Sequence, residues 1–280
     1  MEAVTITHEE PTRYFSNVDR NDPKQLIDYI EGIAFTDEIQ YVTKTVFNSL
    51  NLKAGDKVAD LGCGTGKDAV LISHAIGQEG LYMGVDLSEE MVKYAAEKYM
   101  PLGNVQFSAA SATDSQLESD FYTVAKCERL LQHVPQPSQV IQEMVRVVKN
   151  GGQLSIIDTD WDSSQVSNGQ DPVIRDITRR IFSAVFNQHK DIGVNLKKIL
   201  KDNANLTNIK VKPFLLTTES LDFANKMYCL TSRGEVALQH GLINEAEFTQ
   251  WKAAMDEMDK NGIFYFTLNY FTGNAIVKKD

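Results

Sequence analysis

The chain alternates short apolar runs with longer amphipathic stretches from residue 56 onward. The apolar runs cover residues 58–61, 81–85, 105–107, 121–125 and 154–157. Between them, residues 88–99 and 138–148 carry apolar side chains at the spacing of one helix face, and Gly151 and Gly152 are predicted to end the second helix and open the next strand. Because parallel strands need crossover connections, this rhythm predicts a doubly wound α/β domain with a mainly parallel sheet.

The periodicity also divides the chain around this core, which is predicted to span residues 51–160. Residues 1–50 predict an N-terminal helical cap, because apolar side chains recur there at helical spacing. Residues 161–262 predict a helical lid, interleaved with a core strand near residues 209–217. Residues 263–280 alternate in polarity and predict the last strand of the core sheet.

Composition and charge limit the possible function classes. The chain has 280 residues, with 28 Lys and Arg against 38 Asp and Glu, so its formal net charge is −10. This charge disfavours a nucleic-acid or membrane-surface binder. The three cysteines, an odd number in a chain of this size, predict free thiols in a reducing compartment. With no secretory signal and no run of roughly 18 apolar residues, we expect a cytoplasmic protein without a membrane span.

A buried strand leads into a glycine loop at residues 60–68, Asp-Leu-Gly-Cys-Gly-Thr-Gly-Lys-Asp. Glycines at the carboxyl end of a parallel strand let backbone N–H groups approach a ligand closely. The spacing is G-x-G-x-G, whereas dinucleotide-binding dehydrogenases use G-x-G-x-x-G. The second strand ends at Asp86, which can accept both hydroxyls of a ribose, and Ser88 follows as a helix N-cap. The sequence therefore predicts a nucleotide-like ligand other than a dinucleotide.

Residues 60–66 and 84–91, the second reading Gly-Val-Asp-Leu-Ser-Glu-Glu-Met, together resemble the class I S-adenosylmethionine-dependent methyltransferases. The resemblance covers residues 50–160. It implies a Rossmann-like, seven-stranded sheet with an antiparallel last strand, and S-adenosyl-L-methionine (SAM) as the cofactor, with S-adenosyl-L-homocysteine as the product. Residues 121–135 and the strand after them are similar to those of quinone-biosynthesis C-methyltransferases and related small-molecule enzymes.

Carried onto this chain residue by residue, the resemblance implies that Asp60, Gly62 and Gly64 line the methionine part of SAM. It implies that Asp86 holds the ribose and that Leu87 lies against the adenine. Further cofactor contacts are expected from Cys63, Gly66, Met91 and Glu128.

The chain departs from the family at the adenine edge. The family often has a Gly-Asp pair after the third strand, whose carboxylate bonds the adenine amino group. The matching positions here are Ala110 and Ser111, which are also expected to contact the cofactor. A hydroxyl can still accept this hydrogen bond but adds no charge.

An acceptor site is expected at the same edge of the sheet, lined by Tyr14, Arg129, His133 and Trp161. Methyl transfer from a sulfonium is an in-line displacement, so the protein must align the acceptor and exclude water. His133 is the candidate general base because histidine titrates near neutral pH; alternatively it only hydrogen-bonds the backbone. The aromatic residues favour an acceptor that is partly apolar or aromatic.

Three carboxylates, Asp158, Asp160 and Asp162, alternate along one strand, as in catechol-type methyltransferases that bind a divalent metal. The chain has no further acid-rich loop to supply the remaining ligands. We therefore expect no metal site.

These observations favour a SAM-dependent methyltransferase that acts on a small O-, N- or C-nucleophile, without a nucleic-acid partner. One alternative is a methyltransferase of tRNA or protein, although the chain has no basic tail and carries Cys127-Glu-Arg-Leu130 where an Asn-Pro-Pro-Tyr tetrapeptide is expected. A second alternative is a cofactor-binding module without catalysis, which only the departure at the adenine edge supports.

Overall fold

A computed structural model describes residues 19, 23–167, 169–183 and 189–279, with the backbone alone at residues 25, 29 and 33. Within these ranges the chain forms seven strands and ten α-helices. The strands are β1 (Lys57–Leu61), β2 (Leu81–Asp86), β3 (Val105–Ala109), β4 (Tyr122–Glu128), β5 (Val148–Val166), β6 (Leu206–Thr218) and β7 (Phe266–Val277). The helices are α1 (Pro23–Ile33), α2 (Asp37–Leu50), α3 (Ala69–Ile76), α4 (Glu89–Tyr99), α5 (Pro137–Val147), α6 (Pro172–Ser183), α7 (Ile192–Lys201), α8 (Leu221–Tyr228), α9 (Leu230–Gln239) and α10 (Glu245–Lys260).

The seven strands form a sheet in the order β3-β2-β1-β4-β5-β7-β6. Strands β1 to β5 pair in parallel, whereas β7 runs antiparallel to both of its neighbours. The predicted fold class, a doubly wound and mainly parallel sheet with an antiparallel last strand, is therefore confirmed. The strand order reverses between β1 and β4, and at such a switch point the carboxyl ends of the strands open a crevice.

Helices cover both faces of the sheet. Val58 belongs to an apolar cluster with Ile72 of α3, whereas the next residue, Ala59, belongs to a cluster with Met144 of α5 and Leu196 of α7. Successive strand residues point to opposite faces, so both faces must be apolar in a sheet that is covered twice. This explains why the residues of β1 that pack on the two faces, Val58, Ala59 and Leu61, are all apolar.

The lid consists of α6, α8, α9 and α10, which pack over the extended ends of β5 and β7. Trp251 of α10 and Ile177 of α6 share one buried cluster with Trp161 of β5 and Phe266 of β7. The N-terminal helices join this end of the molecule, because α1 contacts α4 and α8, and α2 packs on β5, β6 and β7. The lid therefore adjoins the crevice at the carboxyl ends of the strands.

Strand β5 is longer than the sequence pattern indicates. The prediction that Gly151 and Gly152 end a helix and open a strand is wrong, because both lie inside β5. Helix α5 ends at Val147, and Val148 already pairs with Tyr122 before the register of the two strands shifts. The boundary between α5 and β5 therefore coincides with the start of strand pairing at Val148 and not with the two glycines.

The predicted division at residue 160 falls inside β5, which continues to pair with β7 as far as Val166 and Phe266. Helix α7, which lies in the predicted lid segment, packs on β5, β6 and β7. It therefore belongs to the layer that covers the sheet.

The three cysteines, Cys63, Cys127 and Cys229, are buried free thiols, as predicted. Across the residues described, no helix combines the length and the apolar character needed to cross a bilayer.

Candidate active site

The glycine loop follows β1 and is held against the end of β2. The backbone N–H groups of Gly62 and Cys63 both donate to the carbonyl oxygen of Val85, at 2.7 and 3.0 Å. Gly62 and Gly64 have φ angles of 76° and 54°, in the left-handed region that favours glycine. A Cβ atom at Gly62 would also lie 2.9 Å from Leu130 Cδ1. The loop thus needs glycine for its backbone conformation and for close packing.

Asp86 is fixed at the end of β2 by backbone donors. Its Oδ2 accepts from the N–H of Gly64 at 2.8 Å, and its Oδ1 accepts from the N–H of Ser88 at 3.0 Å. The Ser88 hydroxyl caps α4 by accepting from the N–H of Met91, as predicted. Burial raises the pKa of Asp86, and the backbone donors oppose this shift. The carboxylate is oriented, with lone pairs left for further donors.

A cavity of about 580 Å³ opens at the carboxyl ends of the strands. The glycine loop, Asp86 and Leu87 form one end. Trp161 of β5, Tyr228 of α8 and Tyr270 of β7 lie at the lid end. This volume lies within the range of small-molecule and cofactor sites.

One buried acceptor in the cavity wall has no partner among the described residues. Asp60 Oδ2 accepts from Tyr82 Oη at 2.8 Å and from Lys126 Nζ at 3.1 Å, but Oδ1 has no hydrogen bond. Buried polar atoms are normally paired, so Oδ1 marks a place for a donor from a ligand. The ammonium group at the amino-acid end of SAM is such a donor, and the residues present therefore fit this cofactor.

Comparison with known proteins agrees with this geometry. Residues 52–214 match the family model described as a methyltransferase domain, which is more than half of the chain. The chain belongs to this methyltransferase family. Together with the methyltransferase relatives and solved structures described next, the match confirms the predicted enzyme class, the SAM-dependent methyltransferases of class I, with SAM as cofactor.

Individual relatives of this methyltransferase match it over different shares of its length. An uncharacterized 37.1 kDa protein in transposon TN4556 of Streptomyces fradiae is 27% identical over 80% of the chain, which spans 65% of that protein's length. The demethylmenaquinone methyltransferase of Staphylococcus saprophyticus is 27% identical over 61% of the chain and 78% of its own length. A solved structure of phosphoethanolamine N-methyltransferase 2 from Haemonchus contortus has a TM-score of 0.59 and 16% identity, covering 96% of this chain and 60% of that one. This structural likeness shows the fold.

Most residues predicted for the site of this methyltransferase line the cavity. They are Asp60, Gly62, Cys63, Gly64, Asp86, Leu87, Met91, Ser111, Glu128, Arg129, His133 and Trp161. Gly66 and Ala110 lie beside the lining: a Cβ atom at Gly66 would meet Phe107 at 2.8 Å, and the N–H of Ala110 donates to the carbonyl of Asp86 at 2.9 Å. Tyr14 lies outside the described residues.

Three charged residues that were not predicted from the sequence also line the cavity: Lys67, Asp68 and Lys126. Lys126 Nζ lies 2.6 Å from Asp68 Oδ2, and Lys67 Nζ lies 3.0 Å from both Asp68 Oδ1 and Glu128 Oε2. With Asp60 they form a chain of alternating charge along the floor of the cavity. A lysine in the middle of an apolar strand was the available signal, because a buried lysine requires acidic partners.

Gln132 organises the lid end of the cavity. Its Oε1 accepts from Trp161 Nε1 at 2.6 Å and from Thr159 Oγ1 at 3.1 Å. Its backbone N–H donates to Asp158 Oδ2 at 3.3 Å. The loop after β4 is thereby tied to the end of β5, which places Trp161 in the wall.

His133 lies in the same loop. Burial, together with the charge of Arg129, lowers its pKa to about 4. The expectation that His133 titrates near neutral pH is therefore wrong: it is neutral at pH 7 and a weaker base than an exposed histidine. Arg129 itself has a φ angle of 51°, a left-handed backbone conformation that is strained for a residue with a Cβ atom.

Two of the three alternating carboxylates of β5, Asp158 and Asp162, have separate partners. Asp158 accepts from backbone N–H groups, and burial raises its pKa to about 7. Asp162 forms an ion pair of 2.8 Å with Lys190. In the part of the chain that is described, no group of three or more His, Cys, Asp or Glu side chains is arranged to hold a metal ion.

Proposed function

We propose that this protein transfers a methyl group from SAM to a small-molecule acceptor bound at the lid end of the cavity. The observation that carries the proposal is the continuity of the cavity, from Asp86 and the glycine loop to Trp161 and Tyr228. In-line displacement requires the acceptor atom and the methyl group to be aligned in contact, and a continuous cavity allows this.

The end of the cavity at the glycine loop would hold the cofactor. Asp60, Gly62 and Gly64 would line the methionine part, and Asp86 would accept hydrogen bonds from the ribose. Leu87 is 61% exposed beside Asp86 and offers apolar surface for the adenine. When bound, SAM supplies a methyl group on a positively charged sulfur.

The lid end would hold an acceptor that is partly apolar or aromatic. Tyr228 lies edge-on to Trp161, with ring centroids 5.7 Å apart, and Tyr270 completes an aromatic lining. Met227 of α8 also faces the cavity, so the lid helix would shield the reacting atoms from water. The relative named as a demethylmenaquinone methyltransferase supports an acceptor of this kind.

His133 stays the candidate proton acceptor at the lid end. Its lowered pKa makes it a weak base, so we expect an acceptor atom that is nucleophilic already or loses its proton readily. Alignment then supplies most of the rate enhancement.

A methyltransferase of tRNA or protein remains the alternative. The net charge of −10 and the lid over the acceptor end both favour a small acceptor. The absence of a nucleic-acid partner and a cytoplasmic location stay predictions from composition.

The first experiment is calorimetric titration with S-adenosylhomocysteine. We expect micromolar binding that Asp86→Ala weakens at least tenfold, about 1.4 kcal/mol. Glu90→Ala, which removes an exposed carboxylate in the first turn of α4, should leave this binding unchanged. Transfer of a labelled methyl group to small aromatic acceptors, but not to tRNA or protein, then tests the acceptor class. Folded protein that does not bind S-adenosylhomocysteine contradicts the proposal, and binding without transfer to any acceptor favours the non-catalytic module.

A further inference from the structure

Lys126 is an unusual residue for the middle of a sheet. It lies in β4, between β1 and β5, and only 2% of it is exposed. Removing an ammonium group from water is costly unless acidic partners compensate, and replacing such a group with an apolar side chain is often neutral for stability. A role other than stability would account for its presence.

Lys126 separates two carboxylates in the cavity wall. Its Nζ lies 3.1 Å from Asp60 Oδ2 and 2.6 Å from Asp68 Oδ2. Burial raises the pKa of Asp60, and Asp68 raises it further, whereas Lys126 opposes both. Burial also acts to raise the pKa of Asp68, but Lys126 and Lys67 outweigh it and hold that pKa well below its usual range.

The same lysine orients Asp60. Lys126 and Tyr82 both donate to Oδ2, and this leaves Oδ1 as the buried oxygen without a hydrogen bond. A carboxylate held in this way offers a fixed negative charge to a cationic donor, at low reorganisation cost.

We propose that Lys126 is a positioning residue that keeps the Asp60 carboxylate ionised and oriented for the ammonium group at the amino-acid end of SAM. The inference rests on the proposed function, because it takes the glycine-loop end of the cavity as the cofactor site.

Two ligands separate this role from a structural one. S-adenosylhomocysteine carries the ammonium group, whereas 5′-methylthioadenosine has the same adenosine and sulfur but no amino-acid end. In calorimetric titration, we expect Lys126→Met to weaken the binding of S-adenosylhomocysteine at least tenfold. The binding of methylthioadenosine should weaken less than twofold. Lys93→Met, at an exposed position on α4, should change neither.

A second variant in the Lys126→Met background tests the electrostatic cause. Without Lys126, the charges of Asp60 and Asp68 repel each other. We expect Asp60 to bind a proton, because Asp68 keeps its ion pair with Lys67. Adding Asp68→Asn removes this repulsion, so the double variant should regain part of the lost S-adenosylhomocysteine affinity. If Lys126 only supports packing, a second polar substitution in the same wall does not restore binding.

The pH dependence gives a third readout. Among the described residues, the ionisable groups that interact with Asp60 are Lys126, Asp68, Tyr82, Cys63, Cys127 and Asp86. In Lys126→Met, raising the pH should strengthen S-adenosylhomocysteine binding more than it does in the wild type, because the ion pair with Lys126 no longer favours the ionised form of Asp60. Methylthioadenosine binding should not follow pH in either protein.

Asp60→Asn provides a test that does not depend on the folding of Lys126→Met. This variant keeps the side-chain volume. It should weaken the binding of S-adenosylhomocysteine but not that of methylthioadenosine. An equal loss of both ligands, or unchanged S-adenosylhomocysteine binding in Lys126→Met or Asp60→Asn, overturns the inference. Wild-type protein that binds neither ligand contradicts the proposed function instead.

Discussion

The indole nitrogen of Trp161 donates a hydrogen bond of 2.6 Å to Oε1 of Gln132, which joins the end of β5 to the loop after β4. Thr159 donates to the same oxygen at 3.1 Å. The aromatic wall of the cavity and the loop that carries His133 are therefore held by one buried side chain, which is 3% exposed.

Gln132→Leu should destabilise the protein by about 1–3 kcal/mol, because it leaves the indole N–H of Trp161 buried without an acceptor. Urea unfolding followed by far-UV circular dichroism measures this change. Gln142→Leu, at an exposed position on α5, is the control and should change stability by less than about 0.5 kcal/mol. Equal stability of the two variants would show that the Gln132 hydrogen bonds contribute nothing measurable.

His133 should make stability fall in acid. Its pKa is about 4 in the folded protein, against about 6.5 in an unfolded chain. Between these values the unfolded state binds more protons, so the contribution of His133 is fully present above pH 6.5 and is lost as the pH falls towards 4. The full loss is about 3 kcal/mol.

His133→Gln removes this proton uptake. Between pH 7 and pH 4.5 the variant should lose less stability than the wild type in parallel urea titrations, by about 2–3 kcal/mol. His240→Gln, at an exposed histidine, should follow the wild-type curve. Parallel curves for His133→Gln and wild type would contradict the burial of a neutral imidazole in this loop.

Gly66→Ala should lower the free energy of unfolding by more than an alanine substitution at other glycines with a left-handed φ angle. Gly66 has a φ angle of 69°, and its Cβ would lie 2.8 Å from Phe107 Cε1. Phe107 is itself packed against Tyr99, so the ring has little room to move. Backbone strain and overpacking together predict a loss of about 2–5 kcal/mol.

Gly55→Ala is the control that separates backbone strain from steric overlap, because it introduces the first without the second. The φ angle of Gly55 is 84°, and no atom lies within 4 Å of a Cβ built there. Gly55→Ala should therefore lose only about 1–2 kcal/mol in the same thermal or urea unfolding measurement. If both variants lose the same amount, the contact with Phe107 is not a constraint on Gly66.

Thr178 anchors the lid. Its hydroxyl accepts from Trp251 Nε1 at 2.9 Å and donates to the carbonyl oxygen of Ile174 at 2.8 Å. Thr178→Val keeps the shape but leaves the indole N–H without an acceptor, so we expect a loss of about 1–3 kcal/mol in urea unfolding.

Thr45→Val is the matched control for Thr178→Val. The Thr45 hydroxyl also donates to the carbonyl four residues earlier, at 2.8 Å, and no side chain among the described residues donates to it. This variant should lose less than about 1 kcal/mol. A loss as large as that of Thr178→Val would place the cost in the helix rather than in the lid contact.

The features of this protein that depend on interactions within a few residues could be predicted from the sequence alone. Apolar periodicity marked β1 to β4 and the helices α4 and α5, because side-chain burial follows the geometry of each element. Ser88 was identified as an N-cap and Gly62 and Gly64 as loop glycines for the same reason: a cap or a left-handed φ angle is decided within a few residues. Asp86 followed from its place at the end of β2 beside the glycine loop.

The tertiary structure decided what depends on partners far along the chain. Lys126 meets Asp60 and Asp68, which lie 66 and 58 residues away, and a local pattern does not show such partners. The extension of β5 to Val166 depends on pairing with β7, whose Phe266 lies 100 residues later in the chain. The lowered pKa of His133 arises from burial, which only the packed lid and loops supply.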